Sequence, residues 1–400
     1  MIKNVCVVGG GSTAHTLIPL LRSAGMNVDL LTAKPALWNK VVRFNYVNEN
    51  GQIIDSLDGS LGIVSDKPQD VIPSADVIIL CMPVSSYKIA LHRIASEIDK
   101  DRPVIIGTVY GQGGFNWMVE EIRNQHALHN LEYFSSGLVP WICRIKEYGK
   151  VGVTYGPKIE NVIAVSNDEV FGRLDTGFLN SISLDFFKVG RFNLAENFIS
   201  LTFSVDNQII HTSRLFSLYK ESNGGKWKNK DDVPYFYRDF NEFSAEQLLL
   251  LDNDYENIRI ALRNKYPGKK FTYMMNYLDL EHFSYASESK SVVDSFVNSR
   301  TLRAITTPVV LHGDHYSVNK EHRFFKDDIY FGLCIAKWFA QEMCIATPQI
   351  DLILQWAQEY LEDDLLADGC LIDFPANNAN RFKYGIPTMY GIHEIDVLVD

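Results

Sequence analysis

The chain of 400 residues is 46% hydrophobic, and its net charge of −11 is spread along the sequence, not gathered in one tail. This length exceeds what one core usually supports, so we expect two domains. The acidic balance argues against nucleic acid or an anionic membrane surface as a main partner. No segment approaches the ~20 apolar residues that span a bilayer.

The N-terminal segment and the cysteines predict a cytoplasmic protein. MIKNVCVVGGG leads directly into a strand and lacks an apolar region followed by a small-residue cleavage site, so secretion is not expected. None of the cysteines forms a CxxC pair, and we expect reduced thiols that behave as small hydrophobic residues. They are Cys6, Cys81, Cys143, Cys334, Cys344 and Cys370.

Apolar and amphipathic segments alternate in the first half of the chain. The apolar segments predict strands at 4–10, 25–32, 75–84 and 102–109. Helical segments, including 85–98 and 115–125, lie between them. Strands that are apolar throughout and alternate with helices indicate a parallel α/β sheet.

A glycine-rich turn follows the first predicted strand. Gly9-x-Gly11-x-x-Ala14 lies between that strand and a helix. Gly9 permits a tight turn, Gly11 lets a diphosphate approach the backbone, and Ala14 allows close helix packing. The position predicts a dinucleotide site, with Ser12 as a further contact; the alternative is a tight structural turn.

The second predicted strand bears on the choice between NADH and NADPH. An NAD site usually has Asp or Glu at the end of this strand, but here Thr32, Ala33 and Lys34 follow, and Asp29 comes too early. Lys34 or Lys40 would meet a 2′-phosphate, unless both are simply solvated. The segment leans toward NADPH, with Thr32 and Lys34 as candidate cofactor contacts.

The second half of the chain predicts helices. We expect them at 194–220, 244–265, 271–287, 326–345 and 348–361. The sequence thus indicates an α/β Rossmann-type N-terminal domain, residues 1–190, followed by an all-helical C-terminal domain, residues 191–400. A substrate cleft between two such domains is the usual arrangement.

One face of the predicted helix 194–220 carries small polar groups. At about 100° per residue, Ser200, Ser204, Asn207 and His211 fall on a narrow stripe among apolar neighbours. A surface face normally carries charges. The stripe is typical either of a polar cavity wall or of a hydrogen-bonded internal histidine.

Two adjacent aspartates open the predicted helix 326–345. Asp327 falls at the edge of the polar side, where a cap or first-turn carboxylate is favourable. Asp328 points inward, where an unpaired carboxylate is costly. It needs a cationic or donor partner, for which a histidine from another helix or Arg323 are the candidates.

A buried His–Asp pair is suited to proton transfer, because the carboxylate fixes the imidazole tautomer and supports its charged form. Arg323 offers a planar fork that fits a substrate carboxylate. With a nicotinamide cofactor, these groups indicate hydride transfer at a carbonyl or imine of an acid substrate.

The whole chain resembles the opine dehydrogenase family, the octopine and nopaline dehydrogenases. The similar segments are VCVVGGGSTAHT, GQGGF, LVPWICRIKEYG, NQIIHTSRLF, HRFFKDDIYFGL and QWAQEYLEDDLLADG. The resemblance implies a Rossmann domain followed by a helical opine domain. It implies NAD(P)H-dependent reductive condensation of a 2-oxo acid, often pyruvate, with the amino group of an amino acid.

The resemblance also assigns roles. His211 stands at the position of the catalytic histidine, Asp328 at that of its carboxylate partner, and Arg323 at that of the arginine that binds substrate carboxylate. Gln112 matches a glutamine that helps to hold the substrates. Octopine-forming relatives have a glutamate where this chain has Gly137, so the resemblance does not favour arginine as the amino acid.

Two other functions stay open. A two-domain hydroxy-acid dehydrogenase would need no amine, and a nucleotide sensor would bind the cofactor without turnover. His312 and His315 flank Asp314, but no third ligand follows at a clear spacing, so we expect no metal. The predicted partners are small molecules, and the predicted assembly is a monomer or homodimer.

Overall fold

The computed structural model describes residues 2–48, 50–299, 302, 305–374 and 378–399. The chain divides into two compact units, Met1–Leu201 and Thr202–Asp400. We expected the boundary after residue 190. The strand Arg191–Leu194 pairs with a neighbour in the large sheet, and the first unit therefore extends further.

The first unit is built on strands. They are β1 (Asn4–Val8), β2 (Asn27–Leu31), β3 (Val41–Val47), β4 (Ile53–Ser60), β5 (Val64–Ser65), β6 (Val77–Leu80), β7 (Val104–Thr108), β8 (Leu131–Ser136), β9 (Trp141–Glu147), β10 (Val151–Pro157), β11 (Glu160–Val165) and β12 (Arg191–Leu194). Eight of them form one sheet in the order β12-β11-β8-β7-β6-β1-β2-β5. Its pairs are parallel except β8 with β11, which confirms the predicted parallel sheet.

The helices of this unit are α1 (Ser12–Ser23), α2 (Tyr87–Ile94), α3 (Phe115–His126), α4 (Asp168–Leu174) and α5 (Leu184–Phe187). α1 contacts β2 of the large sheet and also a second sheet of order β4-β3-β10-β9, which the sequence did not predict. Both contacts bury the apolar side chains of α1, including Leu17, Ile18 and Leu21. This packing fixes the start of α1 against the end of β1.

The second unit is helical. α6 (Phe198–Phe203) contains the boundary, and the helices that follow are α7 (Asn207–Glu221), α8 (Glu242–Lys265), α9 (Tyr277–Tyr285), α10 (Val292–Val297), α11 (Arg323–Lys326), α12 (Cys334–Glu342), α13 (Pro348–Leu361), α14 (Asn378–Lys383) and α15 (Asp396–Val399). The fold class, an α/β domain followed by a helical domain, is confirmed. The helix predicted at 348–361 has those same bounds.

The helical unit also contains short strands, which the prediction of an all-helical domain omitted. They are β13 (Lys226–Trp227), β14 (Val309–His312), β15 (His315–Val318), β16 (Leu366–Ala367) and β17 (Cys370–Leu371). β14 and β15 form a hairpin around Gly313, whose φ of +60° is accessible to glycine. These strands are short and follow tight turns, so they lack the long apolar pattern from which strands were predicted in the first unit.

Shorter helical turns complete the described chain. The 3₁₀ helices are Pro35–Leu37, Pro68–Asp70, Val84–Ser86, Ala95–Glu97, Lys230–Asp232 and Pro387–Tyr390, and the π-helices are Asp175–Leu179 and Ile329–Leu333. Among the described residues, no helix has both the length and the apolar character needed to cross a membrane. All six cysteines are free thiols.

The predicted helix 194–220 is wrong as a continuous element. The chain leaves α6 at Phe203 and starts α7 at Asn207, where the Asp206 side chain caps the new helix. The Ser204 hydroxyl donates to the Tyr273 carbonyl, and Ser200 bonds to Asn197. The polar stripe is therefore divided between two helices, and a side chain that can cap a helix explains the break.

Candidate active site

The glycine turn of the first unit forms a cradle for an anion. Gly9 has a φ of +108°, and a Cβ atom there would lie 2.6 Å from the Cys81 carbonyl oxygen. Gly11 precedes α1 and supplies no capping side chain. The first-turn N–H groups of α1, from Ser12 to Ala14, have no acceptor within the helix. These residues fit a dinucleotide diphosphate, which the helix dipole also favours.

The end of β2 is the position at which a dinucleotide-binding sheet usually contacts the ribose. Thr32 is buried, and its hydroxyl accepts from the Lys34 N–H. Asp29 accepts from the Ile63 N–H at 2.7 Å, so it is not turned toward the end of the strand. Lys40 donates to the Gly62 carbonyl at 2.8 Å. Lys34 is exposed, and its Nζ lies 5.7 Å from the centre of the Tyr148 ring. Of the two lysines predicted to meet a 2′-phosphate, Lys34 is therefore the better placed.

Gln112 lies in the first unit, after β7. Its side chain is fully buried, and its Oε1 atom accepts from the Tyr110 hydroxyl at 2.9 Å. The preceding residue, Gly111, is fixed by a bond from its N–H to the Ser136 carbonyl. The side chain is thus held at the carboxyl end of the parallel sheet, the edge where such folds bind ligands.

The second unit brings His211 and Asp328 together. His211 Nδ1 lies 2.7 Å from Asp328 Oδ2, although the two residues are 117 apart in sequence. Both side chains are buried, with 1% and 2% of their surface exposed. The structure therefore supplies the partner that an inward carboxylate requires.

Two local features bring these residues into contact. A Cβ atom on Gly332 would lie 2.8 Å from Cγ of Gln208, so glycine leaves room at this position for the Gln208 side chain of α7. Gly332 belongs to the π-helix Ile329–Leu333, in which the Leu333 N–H donates to the Asp328 carbonyl. Such wide turns rotate the flanking side chains and are frequent at functional sites.

The start of this segment differs from the prediction. α11 begins at Arg323, three residues before the expected start, and the His322 side chain caps it by accepting from the Phe324 N–H. Asp327 is therefore not the cap; it is buried within the helical segment, as Asp328 is. The projection failed because it placed the first turn at residue 326 and did not consider histidine as a capping residue.

Arg323 lies beside the pair. Its side chain is exposed, with Cζ 5.2 Å from the centre of the Phe324 ring. Phe324 stacks on His211 with ring centres 3.7 Å apart. An exposed guanidinium one aromatic ring away from a buried imidazole suits a carboxylate-bearing substrate.

Burial dominates the electrostatics of the cluster. It raises the pKa of the Asp328 carboxyl to about 8, against the opposing effect of the Arg323 charge. It lowers the pKa of His322 to about 4, and the positive charges of Arg323 and His211 act in the same direction. Burial therefore opposes the charged form of the Asp328 carboxyl, and His322 is neutral at neutral pH.

Tyr237 also contacts the pair, and sequence reasoning missed it. Its hydroxyl lies 3.0 Å from His211 Nε2. It follows α7 in the segment YFYRDF, residues 235–240. The richness of this segment in aromatic residues is a signal, but nothing in the spacing links it to His211.

Two other features lie apart from this cluster. A cavity of about 350 Å³ is lined by Arg214, Arg238, Asp239 and neighbouring residues, but not by His211 or Asp328. His312 and His315 face each other across the β14–β15 hairpin, and His315 Nδ1 lies 3.2 Å from Asp314. Within the described residues, no group of three or more potential ligands could hold a metal ion.

Comparisons with known proteins bear on both units. Residues 194–361 match the model of the family described as NAD/NADP octopine/nopaline dehydrogenase, alpha-helical domain. The chain is 24% identical to octopine dehydrogenase of Pecten maximus, over 100% of this chain and 99% of the relative. It is 25% identical to tauropine dehydrogenase of Arabella iricolor, over 98% and 100% of the two chains.

The fold is shared with a solved structure of octopine dehydrogenase in complex with NADH and L-arginine. The TM-score is 0.80 at 21% identity, and the match covers 99% of this chain and 98% of the other. The chain is therefore similar to the opine dehydrogenases, in its helical domain by the family model and over its whole length by these relatives. The resemblance noted in the sequence is thereby confirmed, and the site residues become candidates for opine chemistry.

Proposed function

We propose that this protein is an opine dehydrogenase. It reductively condenses a 2-oxo acid, with pyruvate as the first candidate, with the amino group of an amino acid. The observation that carries the proposal is the buried His211–Asp328 pair with Arg323 beside it, within the segment that matches the helical domain of this family. The similar proteins include an octopine dehydrogenase and a tauropine dehydrogenase.

The cofactor is NADH or NADPH. When bound at the glycine turn, reduced nicotinamide supplies the hydride for the C=N bond. In this proposal the first-turn amides of α1 hold the diphosphate, and Gly9 and Gly11 let the turn lie close to the Cys81 carbonyl. Lys34 supports a lean toward NADPH, because no carboxylate stands at the end of β2 to bind a ribose 2′-hydroxyl.

The residues of the second unit handle the oxo acid and the protons. Arg323 pairs with the substrate carboxylate, and Gln112 remains a predicted assisting contact. His211, oriented by Asp328, delivers protons to the substrate oxygen and takes one from the incoming ammonium. The reaction joins an oxo acid and a protonated amine, and it consumes one reduced cofactor and one proton. The products are a protonated secondary amine, water and the oxidised cofactor.

The amino acid substrate is expected to be small or uncharged. Gly137 provides no carboxylate for a guanidinium, and a Cβ atom there would lie 3.2 Å from Leu201 Cδ2. The free cysteines support a reducing compartment, the cytoplasm.

Absorbance at the nicotinamide band tests the proposal. Purified protein is given NADH or NADPH with pyruvate alone, and then with each common amino acid in turn. We expect oxidation of the cofactor only when both an oxo acid and an amine are present. Oxidation with the oxo acid alone would instead indicate a hydroxy-acid dehydrogenase, and tight cofactor binding without turnover would indicate a sensor.

A further inference from the structure

His211 is enclosed on several sides by groups of the second unit. One ring face stacks on Phe324 at 3.7 Å with an interplanar angle of 23°, and the Phe236 ring lies 5.6 Å away at 62°. Nδ1 bonds to Asp328, and Nε2 bonds to the Tyr237 hydroxyl. Only 1% of His211 is exposed. A proton that leaves Nε2 would therefore pass to the Tyr237 hydroxyl.

Arg214 holds the segment that carries Tyr237. It lies one helical turn after His211 on α7, and its guanidinium donates to the carbonyls of Tyr235, Phe236 and Asp239 at 2.8–3.2 Å. These carbonyls lie on both sides of Tyr237 in the chain. The helix that carries the imidazole therefore also fixes the position of the phenol relative to it.

The anchoring by Arg214 buries a charged group, which costs free energy. Arg214 has 1% of its surface exposed, and burial lowers its pKa to about 10. Its fourth bond is to the Ser244 hydroxyl at 2.8 Å, so its four hydrogen-bond acceptors are neutral. A charge buried among neutral acceptors is expensive, and here it orders the backbone beside Tyr237.

We propose that Tyr237 is a catalytic residue, the terminal group of a proton relay that runs from His211, held in place by Asp328, to the substrate oxygen. The inference rests on the proposed function and extends it with a residue outside the histidine–aspartate pair. The phenol contacts the imidazole nitrogen that exchanges protons, and it is the group that meets the substrate.

The relay balances as a proton transfer. As the amine nitrogen bonds to the carbonyl carbon, the carbonyl π electrons move to oxygen, which takes the proton of the Tyr237 hydroxyl. The phenol oxygen takes the proton from Nε2 of the charged His211, which becomes neutral and keeps Nδ1–H toward Asp328. Tyr237 ends unchanged, and the proton resides on the substrate hydroxyl that later leaves as water.

Tyr237→Phe removes the hydroxyl and retains the ring that packs on Phe296 at 5.5 Å. Tyr277→Phe is the matched control, because its buried ring also packs on Phe296 and its hydroxyl bonds to Ser295. We expect kcat of Tyr237→Phe to fall roughly 10²-fold, the usual scale of lost acid–base catalysis. The control should keep parental kcat. Cofactor binding, followed by NADH fluorescence, should be unchanged in both.

Proton inventories in mixtures of H₂O and D₂O separate a relay from a structural role. The parent should give a curved inventory from two protons in flight, and Tyr237→Phe a straight one. Parental kcat in Tyr237→Phe would overturn the relay. A faster enzyme would also overturn it, because the phenol would then only shield His211.

A measurement that needs no turnover keeps the relay separate from the proposed function. In ¹⁵N-histidine-labelled protein, with His211 assigned from a His211→Gln variant, the Nε2 resonance should move in Tyr237→Phe and stay in Tyr277→Phe. An Nε2 chemical shift that is unchanged in both variants would overturn the relay. If the parent shows no turnover with any combination of oxo acid and amine, the proposed function fails. The spectrum still decides whether the phenol bonds to His211.

Discussion

The glycine turn of the first unit and the His211 cluster of the second unit treat charge in opposite ways. The turn prepares for an anion with backbone N–H groups, so its sequence requirement is the absence of side chains at Gly9 and Gly11. The cluster buries titratable side chains and pairs them. The glycine turn depends on the absence of side chains, and the His211 cluster depends on its hydrogen-bond partners. Substitutions should therefore impair the two sites in different ways.

His211→Asn should give the largest loss on the cluster side. The amide has a similar polarity but cannot carry the proton, so we expect kcat to fall roughly 10³-fold. Affinity for NADH should be unchanged, because the glycine turn lies in the other unit. His282→Asn is the control, since that imidazole is bonded to the Ser289 carbonyl. Steady-state rates and fluorescence titration measure the two effects, and a parental rate would remove His211 from the mechanism.

Gly9→Ala should break the turn and spare the cluster. A Cβ atom would meet the Cys81 carbonyl at 2.6 Å, at a φ of +108° that alanine disfavours. We expect a loss of stability of about 1–3 kcal/mol from the backbone strain and a large rise in the Kd for NADH. Calorimetry and fluorescence titration measure these effects. Gly268→Ala is the control, since a Cβ there meets nothing within 4 Å; equal effects of both substitutions would contradict the close approach.

Asp328→Asn should separate activity from stability. We expect kcat to fall roughly 10²-fold, because the amide no longer supports the imidazolium. Burial raises the pKa of Asp328 to about 8, so the stability that its protonated form contributes is complete below its ordinary pKa near 4 and is lost as pH rises toward 8. Asparagine has no such titration. The Tm of the variant relative to the parent should therefore rise from pH 5 to pH 8, and a difference that stays constant would contradict the raised pKa.

The contrast also explains what the sequence could predict. The turn after β1 was predictable because strand, glycines and helix follow one another within about ten residues, and such local patterns carry their own geometry. The inward direction of Asp328 was predictable from helical periodicity, even though the helix start was misplaced. Helical periodicity indicates which face is buried, but it does not show where one helix ends and the next begins. The prediction therefore missed the break at Asp206, which caps α7.

Tyr237 shows what local patterns cannot contain. Its contact with His211 depends on the carbonyls of Tyr235, Phe236 and Asp239, which Arg214 binds. Each of these is a contact between segments distant in sequence. The sheet β4-β3-β10-β9 was missed for a related reason, because β3 pairs with β10, a strand far along the chain.

Arg323→Ala should have a smaller effect, on substrate binding and not on proton transfer. Loss of a bidentate partner for the carboxylate is worth a few kcal/mol at most, so we expect the KM for the oxo acid to rise roughly 10- to 100-fold. The KM for the cofactor should stay the same. Lys326→Ala is the control on the same helix, since that exposed lysine pairs with Glu321. A loss confined to kcat would show that Arg323 acts on the chemistry and not on binding.

Lys34→Ala should give the smallest effect. It sharpens the comparison because the glycine turn itself, residues 9–14, contains no charged side chain. Lys34 is exposed, and an exposed charge pair contributes up to about 1 kcal/mol, so we expect the Kd for NADPH to rise about fivefold at low salt. The Kd for NADH should be unchanged, and added salt should reduce the difference. Lys40→Ala should alter neither, because Lys40 bonds to the Gly62 carbonyl. If instead both nucleotides bind to Lys34→Ala as they do to the parent, Lys34 is a solvated surface lysine, and the site selects its cofactor by backbone groups and shape.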